Sequence, residues 1–160
     1  MASPKKHLVS VYVQNVPGVS IRLAMVFARR GYNIESFVGS ETERPDFSRI
    51  NIVATGDSKV LQLIIDQLNR LVNVIEAREI EAEDTISREL ALFKVTVDPQ
   101  TRSEVVLIAR AAGCEIIEIK SGYMSIQCVG PSQTVDAAVR IFADLGIREI
   151  MRTGKVFLSR

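Results

Sequence analysis

The stretch that decides the fold is residues 7–40, HLVSVYVQNVPGVSIRLAMVFARRGYNIESFVGS. Its first nine residues are rich in β-branched and apolar side chains, which predicts a strand. The Asn15-Val16-Pro17-Gly18 turn interrupts that strand, because proline fixes φ and glycine reaches dihedral angles that other residues avoid. Apolar residues then recur at helical spacing over 19–30, and Gly31 stands where a helix-ending glycine is expected. A second strand is predicted from residue 33.

The elements after the first helix complete the first half of the chain. Residues 33–40 and 47–55 predict two strands, and the polar segment 41–46 between them suits a hairpin loop. Asp57 or Ser58 is expected to cap a helix with a broad apolar stripe, and residues 72–80 predict a closing strand. The order is therefore βαββαβ.

The second half repeats this order of elements. Strands are predicted at 88–97, 114–120, 123–129 and 146–153, with residues 154–160 as a short tail. Thr101 and Glu104 fit a capping box at the start of the first helix, Gly113 is expected to end it, and Ser132 is expected to open the second.

The predicted fold class is α+β, with two ferredoxin-like βαββαβ domains in tandem. The acidic segment 79–84 serves as the predicted linker, which gives domains at 1–81 and 82–160. The helices of each domain cover one face of an antiparallel sheet. The other face is expected to be free for a ligand or a partner.

Composition and charge narrow the function classes. The 160 residues carry a net charge of +1, which argues against a dedicated nucleic-acid binder. No apolar stretch is long enough to span a membrane, and no secretory signal peptide precedes the first strand, so we expect a cytoplasmic protein. A plastid protein whose transit segment has been removed is the alternative. Cys114 and Cys128 are expected to be free buried thiols, with a disulfide as the alternative.

The chain offers no set of catalytic or metal-binding residues. His7, at the very start of the first strand, is the only histidine. Since no other histidine can stand near a serine or cysteine, no catalytic triad of the familiar kind is predicted. The two cysteines lack metal-ligand spacing, and Thr55-Gly56-Asp57-Ser58-Lys59 lacks the spacing of a phosphate-binding loop. We predict neither a catalytic residue nor a metal site, and a small enzyme on this fold is the weaker alternative.

An RNA-recognition domain has the same order of elements and is a second alternative. Such domains stack bases on aromatic residues of the central strands. Here the first strand offers only Tyr12, and the third has no aromatic residue after Phe47.

The most informative segment for binding is 15–20, where a strand ends and a helix begins. A helix N-terminus leaves N–H groups unpaired and carries positive partial charge, so the amides of Gly18, Val19 and Ser20 can hold the carboxylate of a free amino acid. Asn15 can donate and accept, and so can hold either end of a zwitterion. The alternative is that the segment is only a tight strand–helix turn.

Several runs together resemble the small regulatory subunit of acetohydroxyacid (acetolactate) synthase. The most specific run is Arg30-Gly31-Tyr32-Asn33-Ile34-Glu35-Ser36, and the 13–19 segment precedes it. Further similar runs occur in the same order at 68–74, 88–94 and 146–154, so the resemblance spans nearly the whole chain.

The resemblance implies an N-terminal ACT domain, a C-terminal domain of similar topology, and a homodimer or higher oligomer. It implies a large catalytic subunit as partner, which carries thiamine diphosphate, Mg²⁺ and FAD, so that this chain has no cofactor of its own. It also implies activation of that partner and feedback inhibition by valine or a related branched-chain amino acid. The implied effector site joins Asn15, Pro17, Gly18, Val19 and Ser20 of one protomer to Asn33 and Ile34 of the other.

Overall fold

The computed structural model describes residues 5–160 and divides them into two compact units. The chain up to Ile86, together with Phe157–Arg160, forms the first unit, and Ser87–Val156 forms the second. The domains predicted at 1–81 and 82–160 stay a prediction. Residues 1–4, where we expected no signal peptide, lie outside the described residues.

The first unit has the predicted βαββαβ order. Its elements are β1 (Lys5–Gln14), α1 (Val19–Arg29), β2 (Asn33–Glu41), β3 (Phe47–Gly56), α2 (Ser58–Leu68) and β4 (Val74–Ile80). The strands form an antiparallel sheet in the order β2-β3-β1-β4, so the two central strands are β1 and β3. Both helices pack on one face of this sheet, where alternate residues of β1 (Val9, Val11 and Val13) are fully buried in one cluster with Leu23 and Phe27 of α1.

The second unit repeats the arrangement. A short 3₁₀ turn at Ala82–Asp84 precedes its first strand. Its elements are β5 (Thr85–Thr96), α3 (Arg102–Ala111), β6 (Glu115–Lys120), β7 (Tyr123–Gly130), α4 (Ser132–Ala143) and β8 (Ile147–Arg152). The strand order β6-β7-β5-β8 matches that of the first unit, and Phe93 and Phe142 pack in its core with ring centroids 5.4 Å apart. The fold class predicted from the sequence is confirmed.

The two cysteines lie in the core of the second unit as free thiols. Burial, together with the neighbouring Cys128 thiol, raises the pKa of the Cys114 thiol to about 12. Because the thiolate is the reactive form, Cys114 is unreactive at neutral pH.

The last residues of the chain are not the short tail that the sequence suggested. Residues Val156–Ser159 form a ninth strand, β9, which pairs with β5. Phe157 is only 1% exposed and packs against Leu8, Val53 and Ile80, which lie on the face of the first sheet opposite the helices. The expectation that this face is free is therefore wrong for the part that Phe157 covers, because three apolar side chains there are removed from water by the returning strand.

The helix ends follow the sequence signals with one exception. Asp57 caps α2 through its Oδ1 atom, which accepts the N–H groups of Lys59 at 2.8 Å and Val60 at 3.2 Å. Gly31 and Gly113 end their helices with φ near +66° and +68°.

The capping box predicted from Thr101 and Glu104 does not form. Thr101 makes no side-chain cap for α3, and its Oγ1 instead accepts the N–H of Asp98. The carboxylate of Asp98 accepts the N–H groups of Gln100 and Thr101, both at 2.8 Å. In a capping box the Glu104 carboxylate would accept the N–H of Thr101, but the Asp98 carboxylate, three residues earlier, accepts it instead.

Candidate functional site

The turn between β1 and α1 leaves a helix N-terminus without a side-chain cap. Gly18 is the capping residue, with φ of 82° and ψ of −3°, a left-handed conformation that glycine adopts without strain. The Val19 N–H donates to the Val16 carbonyl at 3.3 Å, and the Arg22 N–H donates to the Gly18 carbonyl at 3.2 Å. Within residues 5–160, no acceptor meets the N–H groups of Gly18 and Ser20. Two of the three predicted amides are therefore available, and that of Val19 is already bonded within the turn.

This turn lines a cavity of about 800 Å³. Residues 15–20 form one wall, so the structure brings Asn15, Pro17, Gly18, Val19 and Ser20 together as the sequence predicted. A second wall comes from the strands β2 and β3, with Phe37, Gly39, Ser40, Glu41, Ser48 and Ile50. The cavity thus combines uncapped amides with apolar surface from Val16, Phe37 and Ile50, a combination that suits a small amphipathic ligand.

The side chain of Asn15 is held in one orientation by the β2–β3 hairpin. Its Nδ2 group donates to the Pro45 carbonyl at 3.1 Å and to the Glu41 carboxylate at 3.3 Å. Its backbone N–H donates to the Asp46 carbonyl at 2.7 Å. Because both side-chain donors point to the hairpin, the atom that Asn15 can still offer is its Oδ1 acceptor.

The electrostatics of the cavity have two poles. At the turn, the Arg22 guanidinium donates to the Gly18 carbonyl at 3.4 Å and to the Pro17 carbonyl at 3.5 Å, and no acidic residue lies in the first turn of α1. The positive end of the helix dipole therefore gains further positive charge. On the other wall, Glu41 is the one charged residue of the described chain that lines the cavity.

The remaining predicted residues, Asn33 and Ile34, do not line this cavity. They begin β2, whereas Gly39, Ser40 and Glu41 at the end of the same strand reach the cavity wall. At about 3.3 Å per residue, the two ends of β2 lie roughly 26 Å apart. Asn33 is exposed, and Ile34 packs against the hydrophobic core of the first unit.

A polar cluster lies beside the start of β2, next to Asn33 in sequence. The neighbouring Tyr32 is buried, and its O–H donates to the carbonyl of Asp57. Burial and the nearby charges of Asp57 and Glu79 raise the pKa of Tyr32, so it remains a donor at neutral pH. The single histidine, His7, is buried beside it, with Nδ1 at 2.6 Å from the Glu79 carboxylate and Nε2 at 3.2 Å from the Gly56 carbonyl. These contacts give His7 a structural position in the sheet.

Sequence reasoning missed the second wall of the cavity. The predicted hairpin of β2 and β3 could have indicated it. The strand β3 pairs with both β2 and β1, so that Ser48 lies opposite Glu41 and the adjacent Phe47 lies opposite Gln14. The hairpin therefore had to lie beside the end of β1. Which of its side chains line a cavity depends on the bulge in β2 between Ile34 and Ser36, which no sequence motif marks.

Residues 5–160 contain no group of three or more His, Cys, Asp or Glu side chains that could hold a metal ion. In the same residues, no helix is long and apolar enough to cross a membrane.

Comparison with known proteins gives a consistent answer over the full length. Residues 9–76 match the family model described as the AHAS small subunit-like ACT domain, and residues 88–160 match the model of the small subunit of acetolactate synthase. The chain is 40% identical to the acetolactate synthase small subunit of Mycobacterium bovis, covering 99% of this chain and 94% of the relative. It is also 40% identical to the probable acetolactate synthase small subunit of Archaeoglobus fulgidus, covering 97% of each chain.

The fold agrees with a solved structure from the same group. The crystal structure of the acetolactate synthase small subunit from Thermotoga maritima is similar with a TM-score of 0.89 and 35% sequence identity, covering 98% of both chains. Sequence and fold therefore point to one family along nearly the whole chain. The chain belongs to the family of acetolactate synthase small subunits, the non-catalytic regulatory subunits of that enzyme.

Proposed function

We propose that this chain activates a large catalytic subunit of acetolactate synthase and confers feedback inhibition on it by valine or a related branched-chain amino acid. The observation that carries this proposal is the uncapped N-terminus of α1, which opens through Gly18 into a cavity with apolar walls. The carboxylate of an amino acid fits the amides of Gly18 and Ser20, and a branched aliphatic side chain fits Val16, Phe37 and Ile50.

A homodimer completes the site in this proposal. Asn33 and Ile34 stand far along β2 from the cavity of their own chain, so they can reach such a cavity only from a second copy. In the first sheet β2 is an edge strand, which supports pairing with another chain through its unpaired backbone groups. A ligand held by two chains binds only the paired state and can shift an equilibrium by its differential affinity.

The catalytic chemistry belongs to the partner in this proposal. Thiamine diphosphate, Mg²⁺ and FAD are assigned to the large subunit, in agreement with the sparse set of reactive side chains described above. The bacterial and archaeal relatives support a cytoplasmic location for the complex.

The aromatic residues considered for RNA stacking support this assignment over the RNA-binding alternative. Tyr12 and Phe47 stack on each other with ring centroids 5.2 Å apart. Arg49 lies over Tyr12 at 5.3 Å and Arg44 over Phe47 at 4.5 Å. The ring faces that would stack on bases are thus already in contact with protein groups.

Copurification with a large subunit tests the proposal. The complex is expected to form acetolactate faster than the large subunit alone and to lose activity when valine, leucine or isoleucine is added. Full activity of the large subunit alone, with no response to any of the three amino acids in the complex, would contradict it.

A further inference from the structure

We infer that Glu41 binds the ammonium group of the effector and so makes the site selective for amino acids over simple carboxylic acids. The inference rests on the proposed function and names the chemistry beside the turn, where Glu41 meets Asn15. It starts from the composition of the cavity walls, where Glu41 is the one acidic or basic residue among the described residues.

The position of Glu41 is fixed from two sides. It ends β2 opposite Ser48 of β3, and its Oε1 atom accepts the amide of Asn15 at 3.3 Å. Asn15 in turn belongs to the turn that presents the free amides of Gly18 and Ser20. The carboxylate and the amides therefore face one cavity from walls that a hydrogen bond ties together.

The orientation of Asn15 determines which hydrogen-bonding groups the cavity offers beside Glu41. Both of its side-chain donor contacts go to the hairpin, to Glu41 and to the Pro45 carbonyl, so its Oδ1 is left to accept. An ammonium group offers three donors and no acceptor, which matches one carboxylate and one amide oxygen. A carboxylate placed here would instead meet the like charge of Glu41.

The two poles together fit a zwitterion in one direction only. Its carboxylate lies on the helix N-terminus, where Arg22 adds positive charge, and its ammonium lies against Glu41 and Asn15. A carboxylic acid that lacks the amino group satisfies only the first pole. It also leaves Glu41 without a cation, so the structure predicts weaker binding for it.

Calorimetric titration of the full-length chain with L-valine and with 3-methylbutanoate, which is valine without its amino group, tests the inference. The Glu41→Gln variant keeps an acceptor for Asn15 but removes the charge. We expect it to bind L-valine about tenfold or more weakly and to bind 3-methylbutanoate no less tightly than the wild type. Glu43→Gln, an exposed neighbour on the same hairpin that does not line the cavity, is the matched control and is expected to bind both as the wild type does.

The outcomes separate the inference from the proposed function. Equal loss of affinity for both ligands in Glu41→Gln would show that Glu41 only supports the shape of the cavity, and unchanged L-valine affinity would show that it has no role. Either result overturns the inference alone, provided the wild type binds L-valine. A wild-type chain that binds none of valine, leucine and isoleucine overturns the proposed function and the inference with it.

Discussion

The two halves of the chain repeat one order of elements, but they begin their first helices differently. In the second unit the Asp98 carboxylate accepts the N–H groups of Gln100 and Thr101, so the protein itself supplies an anion at this helix start. In the first unit Gly18 stands at the helix start, no side chain caps it, and the amides open into a cavity. The same topology therefore gives, in the second unit, a turn before the helix that is closed by the protein's own carboxylate and, in the first, a helix start whose free amides we propose bind an external carboxylate.

The open faces of the two sheets differ as well. In the first unit Phe157 of β9 covers Leu8, Val53 and Ile80. In the second unit the corresponding face keeps Leu92 and Met151 exposed, at 41% and 68%. The C-terminal strand is therefore a structural part of the first unit, although it lies at the far end of the sequence.

The largest expected effect concerns this covered face. Phe157→Ala removes a fully buried ring and is expected to destabilise the first unit by about 3–4 kcal/mol. Hydrogen–deuterium exchange should show faster exchange in β1 and β3 and little change in β7 of the second unit. Leu158→Ala, an exposed neighbour on the same strand, is the control. An equal increase of the exchange rate in both units would contradict the assignment of β9 to the first unit.

The next effect concerns the uncapped helix. Gly18→Asp places a carboxylate where the effector's own carboxylate is proposed to lie and is expected to weaken valine binding by about a hundredfold or more, so that inhibition is lost while activation remains. Cβ at Gly18 meets open space, so the cost of the substitution lies in the positive φ. Gly18→Asn is the matched control. Asparagine and aspartate adopt the left-handed conformation at similar cost, so the two variants differ mainly in the charge of the side chain. If calorimetry finds the same valine affinity for both variants, charge repulsion at position 18 does not explain the loss of binding.

A smaller effect tests whether two chains share the site. Asn33→Ala is expected to weaken valine binding by about tenfold, since one hydrogen bond to a charged ligand is lost. Mixed dimers of Asn33→Ala and Gly18→Asp chains then contain one intact site and one doubly altered site. Calorimetry should find half of the wild-type number of sites at wild-type affinity. Mixed dimers without any such site would indicate that Gly18 and Asn33 of one chain act together.

The smallest effect concerns the self-capped helix. The N–H groups of Thr101 and Gln100 lower the pKa of Asp98, so its contribution to stability is present above the unfolded pKa and is lost as the pH falls below about 4. Asp98→Ala should lower the thermal midpoint of the second unit by a few degrees at pH 7 and by less at pH 3. Asp144→Ala, at an exposed position after α4, serves as the control. The same loss at both pH values would exclude the carboxylate as the cap.

Local signals in the sequence predicted most of the fold. Periodicity and the glycines at 31 and 113 gave the order and the ends of the helices, because these features depend on residues close in sequence. The turn at 15–18 was also found, since proline and glycine act on the backbone locally. The path of β9 was missed because Phe157 finds its partners in β1, β3 and β4, far away in the chain.

The candidate site was predicted in part for the same reason. Residues 15–20 form a continuous wall and could be found from one motif. Glu41 could not, because its approach to Asn15 depends on strand pairing and on a bulge in β2. The capping box at Thr101 failed because the carboxylates of Asp98 and Glu104 are both within three residues of the Thr101 N–H, and sequence spacing does not show that Asp98 accepts it.

We propose that the free amides at the start of α1 bind the carboxylate of the effector. The most direct measurement is an NMR titration of the ¹⁵N-labelled full-length chain with L-valine, following backbone amide resonances. The Gly18 and Ser20 amide protons should move downfield as they gain an acceptor, while those of Gln100 and Thr101, already bonded to Asp98, should not move. Saturable valine binding that leaves Gly18 and Ser20 unshifted would contradict the account.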